Sequence, residues 1–257
     1  MHTIKVSFEL IKKTEFEAMT EIIYSLLGAW GKNGQILSGE SPIARTDNNL
    51  EVYVNTPDSD SLSEKYNNKY VSETLLKLKE KDFAAPKILV LGKEPESAIL
   101  CDCRNIKSFI LFTTYISLES PLKCADCFGV VPLYKIPKTV EEEYYDIICW
   151  NSDYRSCDSL QMNCVVGERF ATNQLSKYDS QLTKFGLKVC RSIEKVTNKK
   201  VFYYLYKGTA KSYKSELLRK CPNCKGDWHL KEPIHNKFDF KCEKCSLLSN
   251  IAWSVYP

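Results

Sequence analysis

The chain places four cysteines as two Cys-x-x-Cys pairs, Cys221/Cys224 and Cys242/Cys245, with 17 residues between the pairs. That spacing is the mark of a small module closed around a metal ion. Each pair makes a tight knuckle that aims two sulfurs at one point. The residues between them form a hairpin that brings the knuckles together. Zn2+ with four thiolates is tetrahedral and keeps no open position for water or substrate, so its expected role is structural. Trp228 and Leu230, then Phe238 and Phe240, alternate along the two arms of the hairpin. Gly226, two residues after Cys224, suits the left-handed turn such a knuckle needs. A module this short has little core of its own, and bound zinc supplies about 10–16 kcal/mol. The hairpin also contains His229 and His235. Four sulfurs already saturate the ion, so both are read as surface imidazoles.

The metal reading depends on the compartment. The opening MHTIKVSFEL has no basic stretch followed by an apolar one, and no run approaches the roughly 18 apolar residues of a membrane span. The expectation is a cytoplasmic protein with no membrane partner. Its 12 cysteines would then stay reduced. A second set, Cys101-x-Cys103-x20-Cys124-x2-Cys127, has one full knuckle, with Gly129 placed as Gly226 is. It is a candidate for a second zinc site; the plain alternative is four reduced cysteines in a loop-rich segment. Cys149, Cys157, Cys164 and Cys190 stand apart and read as small buried residues.

Hydrophobic periodicity predicts an α+β fold. Ile4, Val6 and Phe8 alternate with Lys5 and Ser7 as a half-buried strand. Thr14-x-x-Glu17 reads as a capping box, followed by Phe16, Met19, Ile23, Leu26, Leu27 and Trp30 at helical spacing. A short strand is expected at 35–38 and another through Leu50, Val52 and Val54. Ser61-x-x-Glu64 reads as a second cap, opening a long helix through Tyr66, Tyr70, Leu75 and Leu78. The apolar run 88–91 reads as a central strand. The order β-α-β-β-α-β is that of a ferredoxin-like domain over 1–95. The segment 96–139 carries the second cysteine set. The segment 140–215 is mainly helical, with a helix over 180–197 and a strand over 201–206. Residues 216–257 make the zinc ribbon, reached through a polar linker at 207–220.

Charge is unevenly spread. From Lys188 to Pro257 there are 15 Lys+Arg against 6 Asp+Glu, a net of +9; the rest carries 21 against 26, a net of −5. A basic end on an acidic body suits a polyanion partner. Lys207, Lys211, Lys214, Arg219, Lys220 and Lys225 are the candidate phosphate contacts, with Tyr203, Tyr204, Tyr206 and Tyr213 interleaved. The bland alternative is a solvated lysine face with core aromatics. The polar stretch 149–170 offers Asp158 or Glu168 as a general base and Arg155 or Arg169 as an anion clamp. With no histidine nearby and no phosphate loop, structural hydrogen bonds and ion pairs explain it better, and no enzyme is expected.

The stretches SPLKCADCFGVVPLYKIP, DIICWNSDY, LQMNCVVGERFATNQLS, VFYYLYKG and CPNCKGDWHL…FDFKCEKCSLLSNIAW resemble an uncharacterised bacterial family described as zinc-ribbon-containing, possibly nucleic-acid-binding proteins. The resemblance spans about residues 97–253. It implies a C-terminal zinc ribbon with Cys221, Cys224, Cys242 and Cys245 as ligands, and a nucleic-acid role. The resulting expectation is non-catalytic nucleic-acid binding by a structural-zinc protein. The alternative is a protein-interaction adaptor that uses the ribbon as a docking surface.

Overall fold

Ile4, Val6 and Phe8 are fully buried, and the strand that carries them, β1 (His2–Glu9), runs through the middle of a sheet. A computed structural model describes residues 1–11, 16–37, 41–46 and 49–256. The chain forms two compact units, 1–100 with 118–120 and 130–145, and 101–117 with 121–129 and 146–257. No helix among the described residues is long and apolar enough to cross a membrane.

The first unit adds α1 (Phe16–Lys32), β2 (Ile43–Arg45), β3 (Asn49–Thr56), α2 (Lys69–Glu80) and β4 (Lys87–Lys93) to β1. The sheet order is β2-β3-β1-β4 and every neighbouring pair is antiparallel. Ile23, Leu26 and Trp30 of α1 and Val71 and Leu78 of α2 pack with Val6, Phe8 and Val52 in one core. Residues 130–145 fasten to this unit: Tyr134 Oη lies 2.8 Å from Ser61 Oγ, and Asn68 Nδ2 donates to the Glu142 carbonyl at 2.7 Å.

The Thr14 capping box lies outside the described residues. Of the strand expected at 35–38, Ser38 lies outside the described residues and 35–37 form no strand, because the buried Gln35 amide donates to the Ser61 carbonyl and Asn67 Oδ1, holding the segment as a bend. The short strand is Ile43–Arg45. Ser61 caps no long helix, since its hydroxyl turns back to the Asp58 carbonyl; a short 3-10 turn follows, and α2 starts at an Asn68 cap whose Oδ1 accepts from Val71 N. The 88–91 run is not central. β4 is an edge strand, and Ile88, Leu89, Val90 and Leu91 are 42–54% exposed. β1 pairs on both sides and so takes the centre itself. An apolar run marks a strand but does not say where in the sheet it lies.

The second unit contains β5 (Ser108–Leu111), β6 (Leu122–Cys124), α3 (Tyr145–Asn163), α4 (Glu168–Ser176), α5 (Gln181–Thr197) and β7 (Lys200–Leu205). It continues with α6 (Tyr213–Leu217), β8 (His229–Ile234), β9 (Phe238–Cys242) and β10 (Leu247–Ser249). All six strands form one sheet in the order β6-β5-β7-β10-β9-β8, with β5, β7 and β10 parallel. Segments 96–139, 140–215 and 216–257 thus each contribute strands to it. The stretch 207–220 is more than a linker: Ser212 and Ser215 cap α6 reciprocally. Helix α5 lies close against the sheet at Gly186. A Cβ there would stand 2.1 Å from the Tyr203 ring and 2.6 Å from Trp150 Nε1.

Candidate metal centres and the basic stretch

Cys124 ends β6 and Cys127 follows in the next turn; Cys242 ends β9 and Cys245 sits in the turn before β10. The strands therefore deliver two of the knuckles. Among the described residues, the sulfurs of Cys101, Cys103, Cys124 and Cys127 all lie within 4.8 Å of one another, and so do those of Cys221, Cys224, Cys242 and Cys245. Cys124 Sγ is 4.0 Å from Cys103 Sγ, and Cys224 Sγ is 3.6 Å from Cys242 Sγ. A tetrahedron with metal–sulfur bonds of about 2.3 Å has sulfur–sulfur edges of about 3.8 Å. Both groups of four fit a metal ion.

The knuckles at 124 and 221 repeat each other atom by atom. Cys124 N donates to the Gly129 carbonyl and Cys221 N to the Gly226 carbonyl, each at 2.9 Å. Phe128 N returns to the Cys124 carbonyl and Lys225 N to the Cys221 carbonyl. The left-handed residues are Phe128 and Lys225, with φ of 60° and 61°, not the glycines that follow them. Gly129 is needed for space: a Cβ would lie 2.7 Å from the Cys101 backbone and 3.1 Å from Cys127 Sγ. Gly226 meets only an ordinary contact, 3.5 Å from Cys224 Sγ. Ser246, at φ 52°, gives the third knuckle the same left-handed turn.

Electrostatics divides each set. The backbone N–H of Gly226 helps hold the Cys224 thiol down to about 7, while burial pushes Cys242 up to about 12. In the other set burial raises Cys101, and the hydrogen bond to Cys127 pushes Cys103 up to about 11. Burial works against ionisation of Cys124, but the N–H groups of Cys127 and Asp126 prevail and lower it. Four sulfurs this close cannot all ionise without a cation among them. A divalent ion removes that conflict, and its binding releases the protons.

The two sets also touch through their surroundings. His235, at the tip between β8 and β9, is not a plain surface imidazole. Its Nε2 lies 2.8 Å from the Ala125 carbonyl and its ring stacks on Phe128, centroids 5.1 Å apart. Phe238 meets the same Phe128 ring at 5.6 Å. His229 is exposed.

The basic candidates separate. Arg219 is turned inward, between Trp228 and Phe240 at 4.8 and 4.1 Å from their ring centres. It pairs with the buried Glu216 at 2.8 Å and donates to the Asn250 carbonyl. Its work is packing, and a phosphate would have to displace these partners. Lys220 pairs with Asp227. Lys225 is exposed, and its ammonium donates to the Pro222 carbonyl. Lys207, Lys211 and Lys214 make no ion pair among the described residues; Lys207 and Lys211 line one shallow depression beside α6. Of the interleaved tyrosines, Tyr203 and Tyr204 are core, whereas Tyr213 is 42% exposed.

The polar stretch 149–170 also divides. Glu168 and Arg169 are exposed. Arg155 reaches the Tyr115 carbonyl, and Asp158 accepts the Tyr115 N–H at 2.7 Å. Sequence reasoning had no way to find Tyr115 there, because its partner lies 43 residues away.

Three family models match the chain in succession, each described only as a domain of unknown function: DUF8589 over residues 1–92, DUF2310 over 103–206 and DUF8594 over 210–255. None of the descriptions names a zinc ribbon or a nucleic acid. The first covers β1 to β4, the second holds Cys103, Cys124 and Cys127, and the third holds the complete C-terminal set. No solved structure matches. An uncharacterised protein of Haemophilus influenzae is 38% identical over 145 residues, 56% of this chain and 71% of its own length. A second uncharacterised protein of that organism is 30% identical over 259 residues, covering 99% of both chains. A match of that extent shows common descent along the whole length, and the chain belongs to the family of that full-length Haemophilus influenzae relative.

Proposed function

We propose that each cysteine set holds one structural zinc ion and that the protein binds nucleic acid without catalysis. On this reading residues 216–257 are a zinc ribbon, and the β2-β3-β1-β4 unit is a ferredoxin-like domain. The sulfur spacing and the N–H groups aimed at the sulfurs support zinc: all-thiolate donors at tetrahedral separation suit it, and a four-sulfur shell leaves no place for substrate. The observation that carries the nucleic-acid reading is that Lys207, Lys211 and Lys214 make no ion pair among the described residues, while Tyr213, next to Lys214 in the chain, is exposed. Such groups can neutralise phosphates and stack on an unpaired base. Binding of zinc-loaded protein to single- and double-stranded DNA and RNA should weaken linearly in log affinity against log salt. Absence of binding to all four at low salt would end this reading.

A second reading, a protein-interaction surface, is favoured by one feature, and it lies on β4 rather than on the ribbon. An edge strand with four exposed aliphatic residues offers unpaired backbone groups to another strand. Sedimentation should then show self-association that Val90→Lys abolishes; a parent protein that stays monomeric at high concentration rules out self-pairing.

A further inference from the structure

The parallel strands β5, β7 and β10 end on the same side of the sheet, and a cleft of about 780 Å3 opens beyond their carboxyl ends. Its volume is that of a small-ligand site, and its place is where open parallel sheets bind ligands. Buried Tyr154, Tyr204 and Phe238 form its floor. Trp253 and Tyr256, 63% and 52% exposed, stand at its rim. Two acceptors face it from α3. Asp158 gives one oxygen to the Tyr115 N–H, and its second oxygen has no partner among the described residues. Gln161 Oε1 is buried and also unpartnered. Asn250, by contrast, is fully engaged: it accepts from Tyr204 and Lys207 N and donates to the Lys207 and Ile251 carbonyls.

Lys237 also lines the cleft, but on the α3 side the unused groups are acceptors, and a stacking surface beside them calls for a flat ligand with donors on that edge. Among nucleobases, guanine carries N1–H and N2–H2 side by side, which matches a carboxylate with two bonds. Adenine and cytosine set an acceptor beside their amino group, and uracil flanks its single N–H with carbonyls; each would turn a lone pair toward Asp158. The candidate phosphate contacts Lys207 and Lys211 lie on a loop tied to this rim. Ser254 N donates to the Gly208 carbonyl and Ala210 N to Ser254 Oγ, tying the loop of Lys207 and Lys211 to the segment that bears Trp253 and Tyr256.

We propose that this cleft binds a guanine base, stacked against Trp253 and Tyr256 and held along its donor edge by Asp158 and Gln161. The base comes either from a free guanine nucleotide or from an unpaired guanosine in a strand, and the second source rests on the nucleic-acid reading above. Burial already raises the Asp158 pKa, and donors from a bound base would favour the ionised form again.

Trp30, Trp150 and Trp228 are at most 2% exposed, so quenching of tryptophan emission by acrylamide reports Trp253. The zinc-loaded full chain is titrated with guanosine monophosphate, uridine monophosphate, and short oligouridines with and without one guanosine. Strand binding is followed separately by polarisation of an end-label. Guanosine-bearing ligands should shield Trp253 and uridine ones should not. Asp158→Asn keeps an acceptor for the Tyr115 N–H and should weaken shielding about tenfold or more, with melting still cooperative. Shielding by the monophosphate without any strand binding sinks the nucleic-acid reading and leaves the cleft a nucleotide site. Shielding by the guanosine-bearing strand alone makes the strand the source. Strands that bind without shielding Trp253, uridine that shields as well as guanosine, or no shielding by any ligand would overturn the inference.

Discussion

Gly186 fixes how close α5 lies to the sheet. Its missing Cβ is occupied by the Tyr203 ring, 2.1 Å away, and by the Trp150 indole. Gly186→Ala should therefore lower stability by about 1–3 kcal/mol, despite alanine's better helix propensity, read as a lower midpoint in urea. The opposite sign is expected at Asp158. Burial raises its pKa above that of the unfolded chain. The folded state holds that proton more tightly, so this group's contribution to stability is complete at low pH and lost as pH rises through the folded value. Asp158→Asn, with no charge to bury, should melt above the parent at neutral pH, and the difference should close as pH falls into the carboxylate range. A melting curve at each pH checks this. A residue that costs stability where it faces a cleft is what a binding site looks like.

Among the elements, the knuckles were the most legible in the sequence. Cys-x-x-Cys limits where two sulfurs can point, so spacing pointed to the C-terminal set directly. The other set, with one Cys-x-Cys, it offered only as a candidate beside the alternative of four reduced loop cysteines, and the structure brings its sulfurs together as well. Spacing could not tell which knuckle residue takes the left-handed backbone. Lys225 and Phe128 do, although a glycine follows each. Strand β1 was legible because one buried face imposes alternation. The position of β4 was not, because an apolar run reads alike at the centre and at the edge. The cleft was hidden altogether, since Tyr115, Asp158 and Trp253 come together only when three parallel strands align their ends. Cys224→Ser tests the knuckle itself. Elemental analysis should find zinc falling from two ions per chain toward one, with the hairpin β8–β9 losing protection in hydrogen exchange.

For the molecule as a whole, the net of +9 after residue 187 overstates what is free to meet a polyanion. Arg219 is packed away and Lys220 is paired with Asp227. The six-stranded sheet carries one cysteine set by β6 and β5 and the other by β9 and β10. The stacking of His235 on Phe128 joins them a second time, since one hairpin tip rests on the other set's turn. Filling either centre should thus raise the affinity of the other, and linkage requires the effect to be mutual. Zinc added to metal-free protein should load in a single sigmoidal step with a Hill coefficient above one, and His235→Ala should return it to two independent hyperbolas.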